Sequence, residues 1–212
     1  MKKSITILCF FVVCTLCAET NHPSVLSKLA YCGFSGGMML HTGYVHGRAF
    51  SLSHTDGSVA QTVQMKGAPT GIGGAARFHF GKHLRIGTEG YVSTLRYGQQ
   101  ESYASIGWGG LLADYQWTFG RWMPFVGGTV GGGTVKNLTL LEETPVDYVL
   151  EQSSASFRKY GFLALAPFAG VEFAMSKKIH LMFKVDYIIN LNNRQNDFVT
   201  GPRLYCGFAF CR

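Results

Sequence analysis

Charge is scarce in this chain of 212 residues, where Asp, Glu, Lys and Arg together make up only 15 %. Soluble domains average roughly 25 % charged residues, so this composition does not build a large water-facing surface. Long apolar runs are missing as well. Beyond residue 18 no segment reaches the ~18 consecutive apolar residues that a spanning helix requires. Positive charge is in excess, a formal net +7, but Lys and Arg never gather into a run, which removes the basic patch of a nucleic-acid partner. Metal-ligand spacing is absent: His79 and His83 flank a turn with no acidic or cysteine neighbour. The glycine-rich segments lack the Gly-Lys-Ser/Thr ending of a phosphate loop, and no cofactor is expected.

What is present begins with a leader. Met1-Lys2-Lys3-Ser4 is basic, and Ile5 to Cys17 is an apolar run of the length of a signal-peptide core. The pattern predicts a cleaved signal peptide over 1–18, ending at Ala18, then a short periplasmic lead-in over 19–31 and one domain over 32–212. An uncleaved anchor would need a longer apolar run, and acylation at Cys14 or Cys17 would need a small residue before it. With Cys9, Cys14 and Cys17 in the leader, Cys32, Cys206 and Cys211 remain. In an oxidising compartment that odd count leaves at least one thiol without an intrachain partner.

Behind the leader the chain alternates with period two. From Ile179 to Leu191 every odd position is apolar or aromatic, and the even positions carry His180, Lys184, Asp186 and Asn190. A strand separates the two sets onto opposite faces, whereas a helix mixes them. The same alternation runs through Leu84–Ser93, Gly71–Phe80, Tyr103–Phe119 and Leu163–Phe173. Cys32–His46 and Met123–Asn137 read as strands too rich in glycine for their faces to be assigned, and Pro167 predicts a bulge in the sixth strand. Arg203–Phe210 is the eighth. Gly81-Lys82-His83, Gly120-Arg121-Trp122 and Ser176-Lys177-Lys178 are short turns that alternate with longer connections at 47–65, 98–102, 138–156 and 192–200.

Eight alternating strands, short turns on one side and long loops on the other form the layout of a bacterial outer-membrane barrel. The expected fold is therefore all-β: an eight-stranded antiparallel up-and-down transmembrane β-barrel, with aromatics such as Tyr44, Tyr97, Trp117, Trp122 and Tyr187 at the membrane interfaces. In architecture the chain resembles the small barrels typified by the OmpA transmembrane domain, OmpX and OmpW, a resemblance that carries no functional residues over. Leu204–Phe210, which finishes on aromatics, resembles the C-terminal signal read by the barrel-assembly machinery. The resemblance implies outer-membrane lipid as surroundings, that machinery as a partner, and a monomer.

If the apolar sets face lipid, Arg77, His79, Arg85, Glu89, Asp114, Glu172, His180, Lys184, Asp186 and Arg203 face the lumen, with His41 a further candidate. A lumen of eight strands is only just wide enough for side chains to fill, so a network of ion pairs that plugs the barrel is the leading expectation. A narrow pore, or an OmpW-like route for a small hydrophobic solute, is kept open by the many glycines. Cys32 and Cys211 lie where the first and last strands meet, and a seam disulfide between them is expected, with Cys32–Cys206 the competitor. His41, His46, Ser51, Ser53, His54 and Asp56 surround the first outer loop without any catalytic spacing, so no enzyme is expected. The function read from the sequence is non-enzymatic, structural or adhesive or that of a narrow pore, with recognition by loops 47–65 and 138–156. The rival is a secreted lipocalin-like barrel with its faces inverted around a small apolar ligand.

Overall fold

A strand with one apolar and one charged face can hide the charges from lipid only if its sheet closes on itself. The computed structural model describes residues 31–53, 59–97, 102–140, 155–192 and 195–212, and they do close. The strands are β1 (Tyr31–Gly43), β2 (Thr70–Phe80), β3 (Leu84–Tyr97), β4 (Ser102–Gln116), β5 (Trp122–Leu140), β6 (Ala155–Ala174), β7 (Ile179–Tyr187, resumed at Ile189–Asn190) and β8 (Pro202–Cys211). Each pairs antiparallel with the next, and β8 returns to β1, with Ser35 opposite Cys211 and Gly43 opposite Arg203. The residues up to 30, which include the expected signal peptide and most of the lead-in, lie outside the described residues, as do Glu142, Glu143, Asp147 and Glu151.

The faces decide the solvent. Leu40, Val92, Leu111, Val130, Leu163 and Leu204 point outward and are exposed, whereas the Arg77, Arg85, Lys184 and Arg203 side chains are buried inside. A soluble ligand-binding barrel needs the opposite arrangement, so the lipocalin-like reading fails on the orientation of every strand. The glycine-rich strands resolve in the same sense: Met39 and His41 of β1 and Phe125 and Thr129 of β5 face inward. Gly81 and Gly120 sit at φ 60° and 62°, the left-handed region that lets the two turns they open be this short. Exposed aromatics ring that end of the wall, including Trp117, Phe119 and Trp122. Tyr97, expected among the interfacial aromatics, is instead 8 % exposed and faces the lumen, with its hydroxyl 2.7 Å from Thr139 Oγ1.

Three further expectations are corrected. The β5–β6 ladder runs unbroken from Trp122–Phe173 to Leu140–Ala155, so the expected loop 138–156 has both its ends in strand. Pro167 makes no bulge: it stays in register opposite Gly128, and the β6–β7 ladder merely lapses at Ile188 before resuming in the same register. A missing N–H interrupts one rung without adding a residue. The first outer connection is also partly strand, with Phe50–Ser53 paired to Val59–Val63 and Val45–His46 to Lys66–Gly67.

Glycine on the inner face has a steric role. Gly110 of β4 and Gly131 of β5 face each other, and a Cβ on either would collide with the backbone of the opposite strand. We expect Gly131→Val to abolish the folded, fast-migrating band of unboiled detergent-refolded protein on a gel. Thr134→Val, outward-facing on the same strand, should leave that band in place.

Candidate functional site

Inside the ring, charges arrive on alternate positions of adjacent strands, and most of them meet their opposites. At the short-turn end Asp114 of β4 accepts from Arg77 Nε of β2 at 3.0 Å and from Arg85 Nε of β3. Arg85 also donates through Nη1 to Glu172 of β6, whose second oxygen lies 3.3 Å from His180 Nδ1. Both guanidinium groups lie against the Phe125 ring, at 5.7 and 5.0 Å. Nearer the middle, Lys184 Nζ donates to Glu89 at 2.9 Å and to Tyr91 Oη at 3.0 Å, and lies 3.6 Å from Asp186. Thr129 and Tyr91 complete the shell of Glu89 with hydroxyl donors at 2.6 and 2.9 Å. Three rings, Tyr91, Phe168 and Tyr205, surround the ammonium at 4.5–4.8 Å.

Four buried carboxylates (Glu89, Asp114, Glu172, Asp186) thus share the wall-facing lumen with four buried cations (Arg77, Arg85, Lys184, Arg203). Arg203 stands opposite Asp186 in the β7–β8 ladder. All ten residues expected in the lumen are inward, with His79 and His180 half-buried near the short-turn mouth. His41 joins them, its ring 4.9 Å from Tyr205 and 5.8 Å from Tyr91. Three of the inner-face glycines make room for rings. A Cβ at Gly71 would strike the His41 ring, at Gly73 the Tyr91 ring, and at Gly170 the Phe125 ring, so glycine makes room for neighbouring rings that fill the bore.

At the far mouth one described segment packs into the lumen. The β7–β8 connection, expected as an outer loop at 192–200, turns inward, and Asp197, Phe198 and Val199 are 1 %, 6 % and 3 % exposed. Asp197 accepts from Asn137 Nδ2 at 2.7 Å and lies 3.4 Å from Arg158. Phe198 packs edge-on against Phe162 at 5.0 Å, and His46 and Thr200 exchange backbone hydrogen bonds. Nothing in the sequence distinguished this segment from an ordinary polar loop except the Phe198-Val199 pair. At the short-turn mouth a cavity of about 510 Å³ is lined by His79, Gln116, Glu172, His180, Lys178 and Cys211, among others.

The expected seam disulfide is not formed. Register sets Ser35, not Cys32, opposite Cys211. Cys32 therefore lies three residues further along β1, roughly 10 Å at strand rise and beyond the reach of a disulfide. Cys206 is exposed on the outer wall. No arrangement suited to nucleophilic catalysis is assembled from these groups. Cys211 Sγ (3.4 Å) and Glu172 meet the same nitrogen of His180, whereas a relay needs both ring nitrogens. Ser35 lies 2.8 Å from His79 Nε2 but is 1 % exposed, out of reach of a substrate. His41 is separated from the outer-loop residues, where Ser51 bonds Thr62 and His46 pairs with Lys66; His54 and Asp56 lie outside the described residues.

Removing one member of such a buried pair costs about 3–5 kcal/mol, because the partner is left charged and alone. We expect Lys184→Met to lower unfolding stability in detergent by that order. Combining it with Glu89→Gln should restore part of the loss, as denaturant titration of the single and double variants will show.

No protein-family model matches the chain, and no curated protein sequence matches it. Among solved structures, OprG of Pseudomonas aeruginosa matches with a TM-score of 0.47 and 14 % identity, covering 87 % of this chain and 98 % of that one. Ail, the attachment invasion locus protein of Yersinia pestis, matches at 0.44 and 15 %, covering 85 % and 99 %. The outer membrane protease OmpT of Escherichia coli matches at 0.40 and 6 %, covering 87 % and 99 %. The likeness is one of fold: in architecture the chain is similar to small barrel proteins of bacterial outer membranes.

Proposed function

We propose that this protein is a non-enzymatic barrel of the bacterial outer membrane that conducts nothing through its lumen and works through its outer end. The observation that carries this reading is the crowding of the bore. Buried ion pairs and aromatic rings occupy much of it, and residues 197–199 of the last connection are buried at the outer mouth. The apolar outer wall supports a lipid surrounding, and eight strands with termini and short turns at one end suit the outer membrane.

On this reading, structural or adhesive work falls to the outer connections at 47–65 and to the tall β5–β6 hairpin around 138–156. A hairpin of nineteen paired rungs is longer than the ~9–11 residues per strand that a membrane crossing needs, so its upper part stands clear of the lipid. We further propose that the chain is a monomer and that Leu204–Phe210 guides its assembly.

The test is conductance of the refolded protein in planar bilayers. The expected result is no steady current above the lipid background. A stable ohmic conductance would overturn the sealed reading and favour the narrow pore.

A further inference from the structure

Every Asp and Glu among the described residues is buried: Glu89, Asp114, Glu172, Asp186 and Asp197. The exposed charge of the described wall is therefore entirely cationic. On the outward face near the long-loop end, Lys136 of β5 and Lys159 of β6 stand directly opposite each other, and both are exposed. Like charges facing across a ladder repel, and no carboxylate of the described residues is exposed to offset them. Ser105 of β4 is the other neighbour of Lys136, and Thr94 of β3 is the neighbour of Ser105. One position higher on the same face, the exposed Arg96 pairs with Tyr103. The patch thus offers two ammonium groups, a guanidinium and flanking hydroxyls, which is the donor set of a phosphate site.

Its height identifies the source of the phosphate. Lys136 stands fourteen residues above Trp122. At strand rise and a tilt near 40° that is roughly 35 Å, against an apolar band of roughly 25 Å. With Trp122 taken as the lower edge of that band, the cations lie roughly 10 Å above its upper edge, at headgroup height. Directly below them the wall presents Val92, Leu111, Val130 and Leu163, all more than half exposed, a bed for acyl chains.

We propose that Lys136, Lys159 and Arg96 form a lateral site for the sugar-linked phosphate of an outer-leaflet glycolipid, held with its acyl chains along β3–β6. The inference rests on the outer-membrane reading above. The phosphate takes the place between the two lysines that no carboxylate of the described residues fills, and the hydroxyls of Thr94, Ser105 and Tyr103 lie where a sugar headgroup would meet them.

The test uses detergent-refolded full-length barrel and bisphosphorylated lipid A, with bound lipid read by native mass spectrometry. Wild-type protein should retain lipid A, and Lys136→Gln/Lys159→Gln/Arg96→Gln should bind it at least tenfold more weakly while keeping its heat-dependent gel shift. Lys177→Gln/Lys178→Gln, at the opposite rim, should bind as wild type does. Undiminished binding by the triple variant, or equal binding of dephosphorylated lipid A or phosphatidylglycerol, overturns the site. Complete displacement by millimolar inorganic phosphate would identify a free-phosphate site and overturn the lipid assignment. A wild-type protein without the gel shift would overturn the membrane reading itself, which separates that failure from failure of the site.

Discussion

Charge balance inside a narrow cylinder is the constraint on which the rest of this structure depends. Strands alternate, so a ring whose outer face is apolar receives its charged set on the inner face. There those charges share the lumen with apolar side chains such as Leu95, Ile106, Leu112 and Phe162. The charges are then stable only as a closed set of partners. Arg77–Asp114, Arg85–Glu172 and Lys184–Glu89 link strands that are not neighbours in the wall, while Arg85–Asp114 and Glu172–His180 join adjacent ones. Glu89 and Lys184 lie on β3 and β7, and their contact spans the bore. The interior is thus a set of crossbars as well as a plug, and the same contacts that fill the lumen hold its cross-section.

The aromatic rings support this arrangement rather than compete with it. Lys184 is enclosed by three ring faces, which replace part of the hydration that the ammonium gives up. Inner-face glycines at 71, 73 and 170 are the complement of those rings, since each leaves the volume that a ring on an adjacent strand takes. Sparse side chains at one position and bulky ones at the next produce a uniform filling.

Most of this was legible where alternation was clean. Ile179–Leu191 and Leu84–Ser93 declare both faces, and with them the inward placement of Lys184, Asp186, Arg85 and Glu89. Glycine hid the faces of β1 and β5, because a residue without a side chain has no side to read. It also suggested empty space that neighbouring rings occupy. The length of β5 and β6 was obscured by Asn137, Lys159 and other polar residues that look like loop yet continue the ladder beyond the apolar band. The cap was hidden for a different reason: burial of Asp197 depends on Asn137 and Arg158, which are distant in sequence and adjacent only after closure. Cysteine placement misled because meeting strands need not align their ends, and register at the seam is set by Ser35 and Cys211.

The cap belongs to the last hairpin. Residues 195–200 join β7 to β8 and lock onto His46, at the outer end of the first strand, and onto Phe162 of β6. The stopper therefore reaches its seat only when the final strand zips to the first. Until that moment the bore stays open to water at its outer end. Arg203 and Asp186, which lie close below, can remain hydrated while they search for partners. Closure of the wall and seating of this segment on His46 are therefore coupled, so a barrel stalled at seven strands would lack part of its outer cap.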